Sequence, residues 1–178
     1  MKSSGQLFGG EFLASYMVFL AALVVVLYLW NSNLREIDDA ERQQQMNNIA
    51  VEATEQLLRT SGSPTNWTLS NFSVLGLANE SRVLEKEKVK DFMLLMSYEN
   101  TSLCTGSPNY ECNRHLLGLG TYDFSLNMTY LNGSMVMINS TMCFAGRNPE
   151  NDTYRITVTR TALVEGELVK VHFTMWAK

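Results

Sequence analysis

The chain has 178 residues, of which 46% are hydrophobic, and a formal net charge of −4. One apolar run of membrane-spanning length leaves roughly 115 to 145 residues for the rest, enough for one small domain with its own core and not for two. The acidic balance excludes a basic nucleic-acid patch, and the two histidines, His115 and His172, stand too far apart in sequence to suggest a metal cluster, so neither a metal nor another cofactor is expected.

The first eleven residues, MKSSGQLFGGE, carry one early lysine, Lys2, which agrees with a cytoplasmic N-terminus. Phe12 to Trp30 follow as nineteen uncharged residues, FLASYMVFLAALVVVLYLW. At ~1.5 Å of rise per residue this run reaches about 30 Å, the thickness of a bilayer's hydrocarbon core. An ordinary secretory signal has a shorter apolar core and a small-residue cleavage site, whereas this run continues into LYLWNSNLREID. Glu11 abuts the apolar helix, a costly position for a carboxylate unless it stays at the interface or finds a positive partner.

Together, SSGQLFGGEFLASYMVFLAALVVVLYLW resembles the class III signal of archaeal type IV pilins and pilin-like proteins. The resemblance implies a short polar leader removed by a prepilin-type peptidase at a Gly-Gln junction, here Gly5 and Gln6, and an assembly glutamate near the new N-terminus, here Glu11. A cut before Gln6 makes Glu11 the sixth mature residue rather than the family's usual fifth. A cut before Leu7 restores that spacing without the glutamine, and Phe8 replaces the usual small residue.

From Asn31 to Thr60 the chain stays helical by period. Leu34, Ile37, Met46, Ile49, Ala50, Ala53 and Leu57 form one apolar stripe, and Arg35 with Asp39, Asp38 with Arg42 and Glu55 with Arg59 stand four apart. Joined to the span, this predicts one helix of about fifty residues, on the order of 75 to 80 Å long. Gly62 and Pro64 end it, and a second helix is expected from about Glu85 to Met96, with Val89, Phe92, Met93 and Met96 on one face. The passage from Ser63 to Met93 also resembles archaeal pilin-like proteins, through a Pro-X-Asn-Trp element (Pro64 to Trp67) and a Leu-Gly-Leu-Ala element (Leu75 to Ala78).

Cys104 and Cys112 bracket the turn-rich TGSPNYE, and a disulfide closing so short a loop stabilises by about 2 to 3 kcal/mol in the chain-entropy model. Cys143 is left over: it pairs between subunits, displaces one of the others, or stays free on a strand. Tyr122 to Tyr130 alternate with period two; Asn132-Gly133 signals a hairpin returning through Ser134 to Phe144; a strand around Tyr154 to Thr159 and the Glu165-Gly166 turn lead to Leu168 to Trp176. The expected fold is α+β: a long N-terminal helix packed on a four-stranded antiparallel meander, type IV pilin-like. The expected divisions are a leader over 1–6, the helix over 7–61 with its span at 12–30, and a head domain over 62–178.

Asn66, Asn71, Asn79, Asn100, Asn127, Asn132, Asn139 and Asn151 each open an Asn-X-Ser/Thr acceptor. Chance gives about two or three such triplets at this Ser and Thr content, and none precedes Asn66 although Asn31, Asn33, Asn47 and Asn48 were available. The part after the helix is therefore read as extracellular and N-glycosylated. Asn127, and Asn139 if Val136 and Ile138 point inward, fall on the polar strand face.

Two functions fit these features. The first is a subunit of an archaeal type IV pilus-like surface filament serving adhesion or attachment: membrane-anchored as a precursor, cut by the peptidase, handled by a pilus assembly machinery, and polymerised with copies of itself through the N-terminal helix. The second is a bitopic surface glycoprotein that never polymerises. An enzyme is not expected, since no nucleophile with a base, no paired carboxylates and no phosphate loop stand out.

Overall fold

The computed structural model describes residues 7–149 and 154–177; the expected cleavage junction at Gly5 and Gln6 and the acceptor Asn151 lie outside the described residues. Helix α1 spans Leu7–Arg59 as 53 unbroken residues. The chain divides within it, after Gln43, into two units.

In the first unit every described side chain from Gly10 onward is exposed, including Leu34 and Ile37 of the stripe. In the second unit the stripe is buried: Met46, Ala50, Ala53, Leu57 and Leu58 join one core with the inner side chains of a sheet. Glu55 binds both Arg59 on its own helix and Arg160 on the sheet, the latter at 3.0 Å. The Arg160 hydrogen bond, more than either guanidinium's charge, holds the Glu55 carboxyl below its ordinary value against desolvation.

The end of α1 is closed by the chain that follows it. A helix leaves its last carbonyls unsatisfied. Here Leu57, Leu58 and Thr60 accept the N–H groups of Leu77, Arg82 and Ala78 at 2.8, 2.8 and 3.0 Å. The indole of Trp67, 3% exposed, donates to the Gly76 carbonyl at 2.7 Å. The Pro64 to Trp67 and Leu75 to Ala78 elements thus meet at the helix terminus. A Cβ on Gly76 would run into the Thr60 carbonyl and the Gly62 amide, both backbone atoms that cannot move aside. Gly76→Ala is expected to destabilise the second unit by about 2 kcal/mol through this overpacking; urea unfolding followed by tryptophan fluorescence checks it, and an unchanged midpoint refutes the clasp.

The expected four-stranded meander is corrected. The sheet has six strands, in the order β1 (Ala78–Glu80), β2 (Val83–Leu84), β7 (Arg155–Val164), β8 (Glu167–Trp176), β3 (Asp123–Tyr130) and β6 (Phe144–Gly146), with β4 (Met137–Ile138) and β5 (Thr141–Met142) forming a separate pair. The sheet is mixed, because β2 runs parallel to β7. Strand β3 takes the last strand, β8, as its long partner, from Asp123 opposite Trp176 to Tyr130 opposite Val169.

The physical reason lies in two successive tight turns. Asn132-Gly133 does reverse the chain: the Tyr130 amide donates to Ser134, and Val136 donates to Met128. Asn139 and Ser140 then adopt φ of 49° and 64°, the doubly left-handed geometry of a two-residue hairpin turn, and fold β4 on β5. The excursion closes where Cys143 donates to Val136, and only β6 remains to pair with β3. Val136 and Ile138 are buried as expected, but Asn139 sits at a turn tip rather than on a strand face.

Helix α2 covers Lys86–Leu95, close to its expected range, and buries Val89, Phe92 and Met93. Helix α3 (Asn109–Asn113) packs against it and runs into a 3-10 turn (Arg114–Leu117). Asn109, fully buried, donates to the Leu94 carbonyl at 2.9 Å, and Asn113 donates to that of Leu95 at 3.2 Å, so side chains satisfy the end of α2.

Candidate functional site

Among the described residues, the first half of α1 has no buried side chain. It is long and apolar enough to cross a membrane, and its most apolar window has nothing buried within the structure. Such length and composition are shared by membrane anchors and signal sequences. Exposed Phe12, Met17, Val18, Phe19, Tyr28 and Trp30 point around the helix, so it presents apolar surface on all sides rather than one seam. Glu11 lies at the start of this run, helical and exposed.

The described glycan acceptors do not converge on one spot; all lie in the second unit. Asn66, Asn71, Asn79, Asn132 and Asn139 are exposed, whereas Asn100 and Asn127 are half-buried. The Asn132 carboxamide accepts both the amide and the hydroxyl of its own Ser134, at 2.9 and 2.7 Å. The Asn100 carboxamide accepts the Ser102 amide at 2.7 Å in a local turn.

Cys104 and Cys112 form a disulfide, as their spacing suggests, and Cys143 is free and buried. Burial pushes the Cys143 thiol up to about 11, which leaves it protonated and unreactive at neutral pH.

Asp123 departs from the alternation of β3. It occupies an outward position yet is fully buried, with Tyr110 of α3 and Arg114 of the 3-10 turn bonded to it, and Ser125 is buried too. Arg114 donates to the Asp123 carboxylate at 2.9 Å, the Tyr110 hydroxyl donates to it at 3.0 Å, and Arg147 stands 3.7 Å from its other oxygen. Tyr110 also accepts the Phe124 amide at 2.9 Å. Burial foremost, with the neighbouring carboxylate, raises the Tyr110 hydroxyl above its ordinary value, so it stays a donor. Nothing in a period-two pattern marks this carboxylate as buried; the available signal is Arg114, nine residues upstream in a segment too short to show a period.

Beside α2 an open groove of about 660 Å³ is lined by Met93, Tyr98, Met135, Met142 and Phe144. Two acceptor segments border it, through Asn100 and through Thr141 of the Asn139 triplet, so attached glycans would crowd its mouth. On the opposite side from the α1 contact, the sheet shows a polar face. His172 lies between the hydroxyls of Thr129 and Thr159, each at 3.1 Å, and Thr157 bonds Thr174 at 3.0 Å. Burial, then the Lys170 charge, lowers the imidazole's pKa and favours the neutral ring. Among the described residues no group of His, Cys, Asp and Glu could hold a metal ion.

Comparison with protein-family models, with curated proteins and with solved structures finds no match for this chain.

Proposed function

We propose that this protein is a structural subunit of a type IV pilus-like surface filament. The observation that carries the reading is a single helix with two different surroundings: its apolar first half is exposed and has nothing packed on it among the described residues, while its second half is built into a folded core. The membrane holds the apolar half in the precursor. After leader removal near Gly5 and Gln6, the same surface trades lipid for the helices of neighbouring copies, which an apolar circumference allows. Glu11 then gains a partner in the new amino terminus of an adjacent subunit, so that its charge is compensated only in the assembled register.

The sequon pattern supports this reading, since no acceptor lies on the helix that must bundle and the described acceptors all lie on the head. The resemblance of GQLFGGE and of the Trp67 and Gly76 elements to archaeal pilin-like chains points the same way. The role is structural rather than catalytic.

Mechanical shearing of cells tests the reading. A filament subunit is released with the sheared surface fraction and pellets as polymer; a bitopic glycoprotein stays with the membranes, and that outcome would contradict the proposal.

A further inference from the structure

The polar side of the sheet has an acceptor asparagine at its centre. Asn127 is opposite His172 on β8, and His172 is opposite Thr159 on β7, so the three stand in one row across three strands. Thr157 and Thr174 form the adjoining pair, and Thr129 and Lys170 stand on the other side of the row. Neighbouring strands lie ~4.8 Å apart, which puts Thr159 about 10 Å from Asn127, within reach of the first sugars of a glycan. Phe144 on β6 is the register partner of Asn127 on its other side and is half-buried.

We propose that this face is the seat of an N-linked glycan carried by Asn127, whose first sugars lie across His172 and the threonines of β7 and β8. The inference rests on the reading of the head as exported and glycosylated.

Three features favour a saccharide as occupant. The face is lined by threonine hydroxyls, each with hydrogen-bonding capacity left after the one bond already made, around an imidazole whose two nitrogens are held by Thr129 and Thr159. Thr157 and Thr159 are exposed and Thr174 and His172 half-buried, so the seat is open along β7 and partly sheltered along β8. The attachment point is within the face itself, which makes docking intramolecular and its effective concentration high. The other described acceptors are exposed and outside this face, on turns, an isolated bridge and the edge strand β1, or, like Asn100, sit in a local turn.

The same geometry orders the events. Thr129, the hydroxyl residue of the Asn127 triplet, is held by His172, and β3 is paired on both sides at Asn127. The acceptor is therefore modified before β8, which follows β3 in the chain, closes on it.

The test compares full-length protein from a host that performs N-glycosylation with protein from one that does not. Glycopeptide mass spectrometry should find Asn127 occupied in the first. Asn127→Gln should then lower the melting temperature of the glycosylated protein by about 3 °C and leave the unglycosylated protein within about 1 °C. Asn66→Gln, at an exposed acceptor outside this face, should move neither. Adding Thr157→Val and Thr159→Val to the glycosylated protein should abolish the extra effect of Asn127→Gln, the signature of direct coupling. Asn127 bare beside an occupied Asn132 would overturn the seat alone, as would equal effects of Asn127→Gln in the two preparations. All acceptors bare would overturn the seat and the glycoprotein reading together.

Discussion

Asp123→Ala should lower the stability of the head by about 3 kcal/mol, one of the largest effects available to a single side chain in this protein. Asp123 is completely buried and receives Arg114 and the Tyr110 hydroxyl on one oxygen, with Arg147 near the other. Removing the carboxylate leaves the Arg114 and Arg147 guanidinium groups without the negative charge that stands between them. It also frees the Tyr110 hydroxyl, which at present links Asp123 to the Phe124 amide. The guanidinium side chains of Arg114 and Arg147 are about one-quarter exposed, 26% and 25%, so both can be partly rehydrated, which places the cost at the low end for a broken buried pair. Trp176, opposite Asp123 in the sheet and 2% exposed, reports the loss by fluorescence during urea unfolding of the full chain in detergent. Tyr110→Phe should cost less, about 1 to 2 kcal/mol, because the charges remain paired. A loss under about 1 kcal/mol for Asp123→Ala would mean that the cluster does not hold the 3-10 turn to the sheet.

The second large effect concerns assembly. Glu11→Ala should reduce filaments on the cell by about tenfold or more while the precursor accumulates normally in the membrane. In the proposed polymer every subunit contact pairs this carboxylate with a new amino terminus in an apolar surrounding. Removing one partner of such a pair costs several kcal/mol, and about 1.4 kcal/mol is already a factor of ten. Glu11→Asp, which keeps the charge on a shorter arm, should retain part of the assembly. Electron microscopy of the surface and immunoblotting of the membrane fraction give the two readouts. Normal filaments with Glu11→Ala would remove the charge-pairing mechanism.

The long helix was legible because composition and period agree over its whole length: an apolar run of nineteen residues, then a stripe ending at Leu57. The stripe alone did not distinguish Leu34 and Ile37, which stay exposed, from Met46 and Leu57, which are buried, since a period reports a face and not what covers it. Strands β3, β7 and β8 were legible for the same reason of length. Their order was not. A second turn at Asn139 and Ser140 diverts the chain after the first hairpin, and β8 takes the edge of β3 left open. Strands β1 and β2, three and two residues long, are too short to carry any alternation.

The side chains that pin the head were the least legible. Asn109 and Asn113 satisfy α2 from a loop that reads only as turn-rich, and Asp123 sits on a face whose other polar residues are largely open. Each is defined by a partner distant in sequence, and local pattern holds no record of it. The Cys104–Cys112 bridge was the exception, because a short spacing limits the choice of partner.

The most direct test of the central claim is the N-terminal sequence of the protein recovered from the cell surface. A subunit processed for assembly begins at Gln6 or Leu7, with Glu11 sixth or fifth in the mature chain. A surface protein that still begins at Met1 would contradict the filament account and leave α1 as an uncut membrane anchor.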